Sequence, residues 1–446
     1  VASRIIDRVR NAQQNSGGES SADPQQYATI KHELHAEIVD AIDFEQIQRM
    51  PKEQLTARLQ GQLRDMIEAR SVMLNRSERE RMVSEIVDEI LGLGPLEPLL
   101  ADPDITDILI NGPKTIYVER GGKLQAVETT FDDDAHLMHI IDRVVSSVGR
   151  RIDETHPMVD ARLADGSRFN AIIPPLALDG PMVSIRRFGH VPVSAEDLVR
   201  TASLPKPMLD LLHACVRAKL NVLISGGTGS GKTTLLNVLS RYIPVGERVV
   251  TIEDAAELRL QRPHVVRLET RPANLEGSGQ VTACDLVRNA LRMRPDRIIV
   301  GEVRGVEAAD MLQAMNTGHE GSLGTVHANS ARDALSRVET MVGMGMGNLT
   351  DQRIRELIAR ALDLVVHLDR LPDGSRRIMA ITEVLGIEGT VITTQDIFVF
   401  DQGGIDEDGK VRGAFKATGV RPAFSEKLQQ HGITLPGDLF RYRRDI

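Results

Sequence analysis

The stretch Gly226-Gly227-Thr228-Gly229-Ser230-Gly231-Lys232-Thr233, running on into Thr234, decides the fold of this 446-residue chain. It satisfies the phosphate-binding loop pattern at every fixed position. An apolar strand over 222–225 precedes it, and Leu235, Leu236, Val238, Leu239 and Ile243 follow on one face of a helix. The glycines let backbone N–H groups close around phosphate oxygens, and the helix N-terminus adds partial positive charge. Lys232 is expected to reach the β- and γ-phosphates, with Thr233 holding Mg²⁺ through its hydroxyl. The pattern predicts a site for a nucleoside triphosphate.

Outward from the loop, short apolar strands alternate with helical patterns from residue 221 onward, the signature of a parallel α/β sheet. Strands are expected at 222–225, 249–252, 297–301 and 323–327, with an antiparallel addition beyond 371 that includes 377–384 and 397–401. Two of these strands run into acids: Glu253-Asp254, with Glu257 close behind, and Gly301-Glu302. Carboxylates at the carboxyl edge of a parallel sheet face the nucleotide crevice, where they hold Mg²⁺, directly or through water, or orient the attacking water. Gly301-Glu302 departs from the usual acidic motif, which has Asp, and which of Glu253 and Glu302 is metal holder and which is base stays open at this level. The segment Thr317-Gly318-His319-Glu320-Gly321-Ser322-Leu323-Gly324-Thr325-Val326-His327 has no second histidine four residues after His319, so the helical zinc-protease pattern fails. Sensing of the γ-phosphate by His319 and His327 is the expected role.

Before the loop, residues 1–28 are read as a disordered arm, rich in Asn, Gln, Ser and Gly. Residues 29–94 form a helical extension, with Ile30, Leu34, Ile38 and Ile42, then Leu55, Leu59, Leu63 and Ile67, at helical spacing. A capping box at Ser77 and Glu80 is expected to start its third helix. Residues 95–190 read as a mixed α/β domain, with strands at 105–110, 168–173 and 183–188, a hairpin over 116–127 turned at Gly121-Gly122, and a helix over 136–148. The proline-rich stretch 191–207 is expected to be a linker to a domain over 208–446.

Composition sets outer limits. With 54 basic and 63 acidic side chains the net charge is -9, and the 13 aromatic residues (9 Phe, 4 Tyr, no Trp) offer little for a base-stacking groove, so no nucleic acid is expected as partner. The basic residues are 44 Arg against 10 Lys, a bias toward bidentate pairing with phosphate or carboxylate that a GC-rich genome would also give. Two cysteines, Cys215 and Cys284, make neither a disulfide framework nor a four-Cys zinc site. No apolar run reaches the ~18 residues of a transmembrane helix, so a cytoplasmic protein without direct membrane insertion is expected.

Taken in order, the phosphate loop, the Glu253-Asp254 box, the Gly301-Glu302 box and the His319 to His327 box resemble the secretion-superfamily ATPases, which drive type II secretion, type IV secretion and type IV pili. Flanking text is similar to the CpaF/TadA branch, which powers Flp, or tight-adherence, pilus assembly: Gly94-Pro95-Leu96-Glu97-Pro98-Leu99-Leu100, RLADGSRFN over 162–170, Ser184-Ile185-Arg186-Arg187-Phe188 and Thr418-Gly419-Val420-Arg421-Pro422. The resemblance implies an α/β fold, with a RecA-like P-loop motor domain joined to an N-terminal mixed α/β domain and a helical N-terminal extension. It implies a homo-hexameric ring at the cytoplasmic face of the inner membrane, hydrolysing ATP with Mg²⁺ and working on inner-membrane platform proteins. It also implies that Glu253 belongs to the family's aspartate box, Glu302 to its Walker B box, and His319 and His327 to its histidine box. N-terminal arginines at Arg168 and Arg186 or Arg187 are implied to reach the phosphates, and Arg271 is a further phosphate or interface candidate. Two rival readings are a type IV secretion motor and a nucleotide-gated assembly scaffold that hardly hydrolyses ATP.

Overall fold

A computed structural model describes residues 24–41, 50–70, 74–187, 193–273, 277–347 and 349–446. The chain forms two compact units, Val1–Gly189 and His190–Ile446.

The N-terminal unit begins with three helices, α1 (Pro24–Ala41), α2 (Lys52–Ala69) and α3 (Arg76–Leu91). Leu34, Ile38, Leu59, Leu63, Met82 and Ile86 bury one stripe of each in a shared core. Residues 24–28, placed in the disordered arm, are the first turn of α1, where Arg81 stacks on the Tyr27 ring at 4.6 Å; residues 1–23 and Ile42 lie outside the described residues. The capping box of α3 uses Asn75 and Glu78 instead of Ser77 and Glu80: Asn75 Oδ1 accepts the Glu78 N–H, and Glu78 Oε2 the Asn75 N–H, both at 2.9 Å. Asn75 offers the same cap chemistry two residues earlier.

A six-stranded sheet follows in the order β3-β2-β1-β6-β5-β4, every pairing antiparallel. Its strands are β1 (Ile105–Asn111), β2 (Ile116–Arg120), β3 (Lys123–Val127), β4 (Met158–Arg162), β5 (Arg168–Ile172) and β6 (Met182–Arg186). Gly121 and Gly122 both take positive φ in the β2–β3 turn, which residues with a Cβ adopt at a cost. Between α3 and β1 lies the short α4 (Glu97–Ala101), and α5 (Asp134–Ser147) lays Leu137, Ile140, Ile141 and Val144 on the sheet, where Phe169, Ala171, Val183 and Ile185 meet them.

In the C-terminal unit the stretch expected to be a linker is folded from residue 193 onward. The helix α6 (Ala195–Arg200) starts at a Ser194–Asp197 capping box, and Leu204 is fully buried. Pro205 and Pro207 mark the start of the next helix, and Leu204 before them packs, so proline content alone misled. Then come α7 (Lys206–Arg217), β7 (Val222–Gly226), α8 (Lys232–Ser240), β8 (Val249–Glu253), β9 (Val265–Glu269), α9 (Ala283–Ala290), β10 (Arg297–Val303), α10 (Glu307–Asn316), β11 (Leu323–Val326), α11 (Ala331–Gly345), α12 (Asp351–Ala361) and β12 (Leu364–Arg370). The strands β12-β7-β11-β10-β8-β9 pair in parallel, and β13 (Arg376–Glu388), β14 (Val391–Ile405), β15 (Val411–Ala417) and β16 (Arg443–Asp445) continue the same sheet antiparallel from β12.

Side chains alternate faces along each strand. Val222 and Ile224 join α7, α8 and the aromatic residues Phe398 and Phe415 on one side, while Leu223, Val250, Ile252 and Val365 meet α9–α12 on the other. The apolar runs of β7 and β8 are continuous because both faces are covered. Near the C-terminus, α13 (Ser425–Gln430) packs Leu428 into the first core, and Glu383 accepts the N–H groups of Ala423 and Phe424 at 3.0 and 2.9 Å.

One buried cation fixes the amino edge of the sheet. Arg297 is fully buried; its Nε lies 2.5 Å from Glu247, and its Nη1 donates to the Val216 carbonyl at 2.7 Å and the Gly321 carbonyl at 3.2 Å. Removing one partner of such a pair strands the other in low dielectric. Arg297→Ala is therefore expected to destabilise the C-terminal unit by about 3 kcal/mol, seen as a lower urea midpoint at unchanged slope. An unchanged midpoint would contradict the anchoring role.

Candidate functional site

The centrally placed β7, buried along its whole length, delivers the phosphate loop to the carboxyl edge of the sheet. Gly229 (φ +71°) and Gly231 (φ +99°) are left-handed, and Gly231 is the residue that opens α8. α8 thus starts directly after the loop, and the first N–H groups of a helix are the ones its own ladder does not use. Gly226 has no room for a side chain: a Cβ there would lie 2.3 Å from the Leu368 carbonyl oxygen. Lys232 is 8% exposed, and its ammonium donates to the carbonyls of Gly226 and Gly227 at 2.9 and 2.8 Å. The Ser230 hydroxyl is buried with no hydrogen-bond partner. An orphaned hydroxyl, a helix N-terminus and a lysine within one loop are a donor set suited to phosphate oxygens. Gly227 and Thr228 belong to the same loop.

The two acids stand at the same edge in opposite environments. Glu253, the last residue of β8, is 5% exposed; its Oε1 accepts the N–H groups of Glu257 and Leu258 at 2.9 Å each, and its Oε2 is buried without a partner. Burial pushes its pKa up, and those two backbone N–H groups only partly offset the shift. Gly301 makes this placement possible, because a Cβ at 301 would sit 2.7 Å from Glu253 Cγ. The departure from the usual acidic motif thus has a steric cause: the neighbouring strand's glutamate occupies the space.

Glu302 faces charge instead. Arg304 Nη2 donates to its Oε2 at 2.6 Å, and His327 Nε2 lies 2.9 Å from its Oε1. Burial raises the Glu302 pKa, but Arg304, His327 and Lys232 together outweigh it and the net shift is downward. His327 follows β11 directly, and burial together with Lys232 lowers its pKa, keeping the imidazole neutral at neutral pH. Arg304 also reaches Asp254 at 3.5 Å, tying the two acidic boxes together. Sequence reasoning missed Arg304, which stands one residue beyond the end of β10.

Other expected residues lie elsewhere. His319 stands before β11 and its Nδ1 is 3.0 Å from the Pro295 carbonyl, ahead of β10, so it belongs to the amino edge of the sheet. Glu302 lies five residue steps along β10 from Arg297, roughly 16 Å at 3.3 Å each. The expectation that His319 senses the γ-phosphate is therefore corrected: a strand between two histidines sends them to opposite edges. Arg271 pairs through its backbone with Val281, and its Nε donates to the Gly279 carbonyl at 2.6 Å, which makes it a loop tie beyond β9.

The arginines of the N-terminal unit divide. Arg162, Arg168 and Arg186 stand directly opposite one another across β4, β5 and β6, on the face away from the core. Arg187 instead donates to the main-chain carbonyls of Asp102 and Ile105, the latter at 3.3 Å, and fastens the end of β6 to the turn before β1. Arg162 was not singled out from sequence, although it mirrors Arg168 across the Asp165-Gly166-Ser167 turn. Among the described residues no group of three or more His, Cys, Asp or Glu side chains could hold a metal unaided.

The chain is 38% identical over 325 residues to a "Putative conjugal transfer protein" of Mycobacterium tuberculosis (strain CDC 1551 / Oshkosh), covering 72% of this chain and 92% of that one. It is 36% identical over 316 residues to the type IV secretion system protein PtlH of Bordetella pertussis (64% and 91% covered). It is 33% identical over 294 residues to the conjugal transfer protein TrbB of Rhizobium radiobacter (65% and 86%). Among solved structures, the VirB11 ATPase from the Brucella suis type IV secretion system matches with 29% identity and a TM-score of 0.36, covering 65% of this chain and 95% of that one. The pilus retraction motor PilT with bound ADP matches with 21% identity and a TM-score of 0.46 (64% and 80%). No helix among the described residues is long and apolar enough to cross a membrane. The pattern of one family, the Type II/IV secretion system proteins, matches residues 89–402, well over half of the chain, and the chain belongs to that family.

Proposed function

We propose that the C-terminal unit hydrolyses ATP to ADP and phosphate with Mg²⁺, and that a homo-hexamer of the chain uses the turnover to drive a cell-envelope machine from its cytoplasmic side. The observation carrying this reading is the grouping of the phosphate loop, a buried glutamate and an ion-paired glutamate at one sheet edge. Lys232 and the first turn of α8 would bind the β- and γ-phosphates. Thr233 and Glu302 would hold Mg²⁺, directly or through water; when bound, the ion neutralises phosphate charge.

Environments that push two carboxylates apart in pKa separate their roles. Glu302, held ionised by its cationic neighbours, suits a cation. Glu253, raised by burial and with Oε2 unengaged, suits the base that takes the proton of the attacking water. His327, neutral and 2.9 Å from Glu302, would register the γ-phosphate. Arg162, Arg168 and Arg186 stand in one outward row across β4, β5 and β6. We assign that row to phosphate binding during the cycle, in line with the roles expected of Arg168 and Arg186. Arginines that neutralise transition-state charge contribute about 10³-fold or more in rate.

For the work done, the flanking text points to assembly of a Flp, or tight-adherence, pilus through an inner-membrane platform. The relatives named for conjugal transfer and type IV secretion favour a traffic motor as the second reading. Replacing the gene by a Lys232→Ala version separates them: loss of surface fibres with DNA and protein transfer intact supports the pilus motor, and the reverse supports the traffic motor.

In steady-state phosphate release, Lys232→Ala is expected to remove turnover, and Glu253→Gln to lower it by about 10²-fold or more. Wild-type rates equal to those of Lys232→Ala would favour the scaffold reading, and near-wild-type turnover by Glu253→Gln would remove Glu253 as base. The same substitution has a second consequence. A raised folded-state pKa stabilises below the ordinary glutamate value, and that contribution is lost as pH rises through the folded value. At pH 7.5 Glu253→Gln should therefore melt at or above the wild-type temperature, with the difference vanishing in acid. The rate should fall on the acid side with a midpoint above the ordinary glutamate range, because the base must be ionised.

A further inference from the structure

The phosphate loop is touched by residues from far along the chain. β12 pairs in parallel with β7, placing Leu368 opposite Gly226, and its hairpin with β13 ends against the loop. Arg370 and Arg376 are direct partners across that hairpin. Arg376 Nε donates to the Gly229 carbonyl at 2.8 Å. A Cβ on Gly229 would lie 3.4 Å from Arg370 Nη1, and one on Gly231 3.5 Å from Arg376 Cδ. The loop's two left-handed glycines thus lie within ordinary van der Waals reach of both arginine side chains.

The placement is set by main chain, since the Leu368 carbonyl fills the site of a Gly226 side chain and the ladder fixes the register. Guanidinium pairs with phosphate through paired hydrogen bonds, so an arginine this close to a phosphate loop has the chemistry to bind the same ligand.

We propose that the β12–β13 hairpin is a wall of the nucleotide site. Arg370 binds the phosphate tail of the nucleotide, and Arg376 is a positioning residue that holds the Gly229 peptide and so the apex of the loop. The antiparallel strands β13–β16 are thereby connected to nucleotide occupancy. This rests on the reading of the loop as an ATP site.

The test is binding of a fluorescent ADP by the 446-residue chain, for wild type, Lys232→Ala, Arg370→Gln, Arg370→Lys, Arg376→Ala and Arg376→Lys, with melting temperature as fold control. Arg370→Gln should weaken binding roughly tenfold and Arg370→Lys less than about threefold, because charge is kept. Arg376→Ala should weaken it roughly tenfold and Arg376→Lys less, since an ammonium can donate to the same carbonyl. No binding by wild type would remove the ATP reading itself. Binding by wild type, with Arg370→Gln within about twofold of it or Arg370→Lys as weak as Arg370→Gln, would overturn the proposal. Should a variant melt far below wild type, an arginine-selective dicarbonyl on the wild-type chain decides. Magnesium and ADP should slow labelling of Arg370, and equal rates would overturn the assignment.

Discussion

A buried carboxylate needs both space and partners, and the contact between Glu253 and Gly301 supplies the first of these. With no side chain on β10 at that point, the Glu253 stem crosses the neighbouring strand, and its carboxylate meets two backbone N–H groups instead of water. Moving it outward would erase the contrast with Glu302, which sits among Arg304, His327 and Lys232. The chemistry proposed here depends on that contrast: two glutamates of the same intrinsic acidity, one held charged and one held poised. The parallel sheet makes the arrangement possible, because β7, β8, β10 and β11 all end on the same side.

What was legible in the sequence was chemistry carried by contiguous residues. The phosphate loop packs its glycines, lysine and threonine into one turn, so its reading needs no tertiary knowledge, and the alternation of apolar strands with helices gave the α/β class. The acids were legible as strand ends, but their separate roles were not, since desolvation of Glu253 comes from what packs on it. The two histidines show the limit clearly. His319 and His327 read as one box, yet the four residues of β11 lie between them and carry them to opposite edges.

Boundaries failed where one polar residue could stand in for another. Asn75 took the cap expected of Ser77. The prolines before residue 207 suggested a linker, whereas Leu204 between them is core. Arg370 and Arg376 were out of reach altogether, because no local pattern shows that a hairpin more than a hundred residues away closes on the loop. Such contacts depend on the strand order, in which β12 neighbours β7.

The central claim is that folding itself divides the two glutamates. Infrared difference titration of the carboxyl band, with Glu253→Gln as the blank, measures the Glu253 midpoint directly. The account predicts a value above the ordinary glutamate range, and a midpoint at or below that range would contradict it.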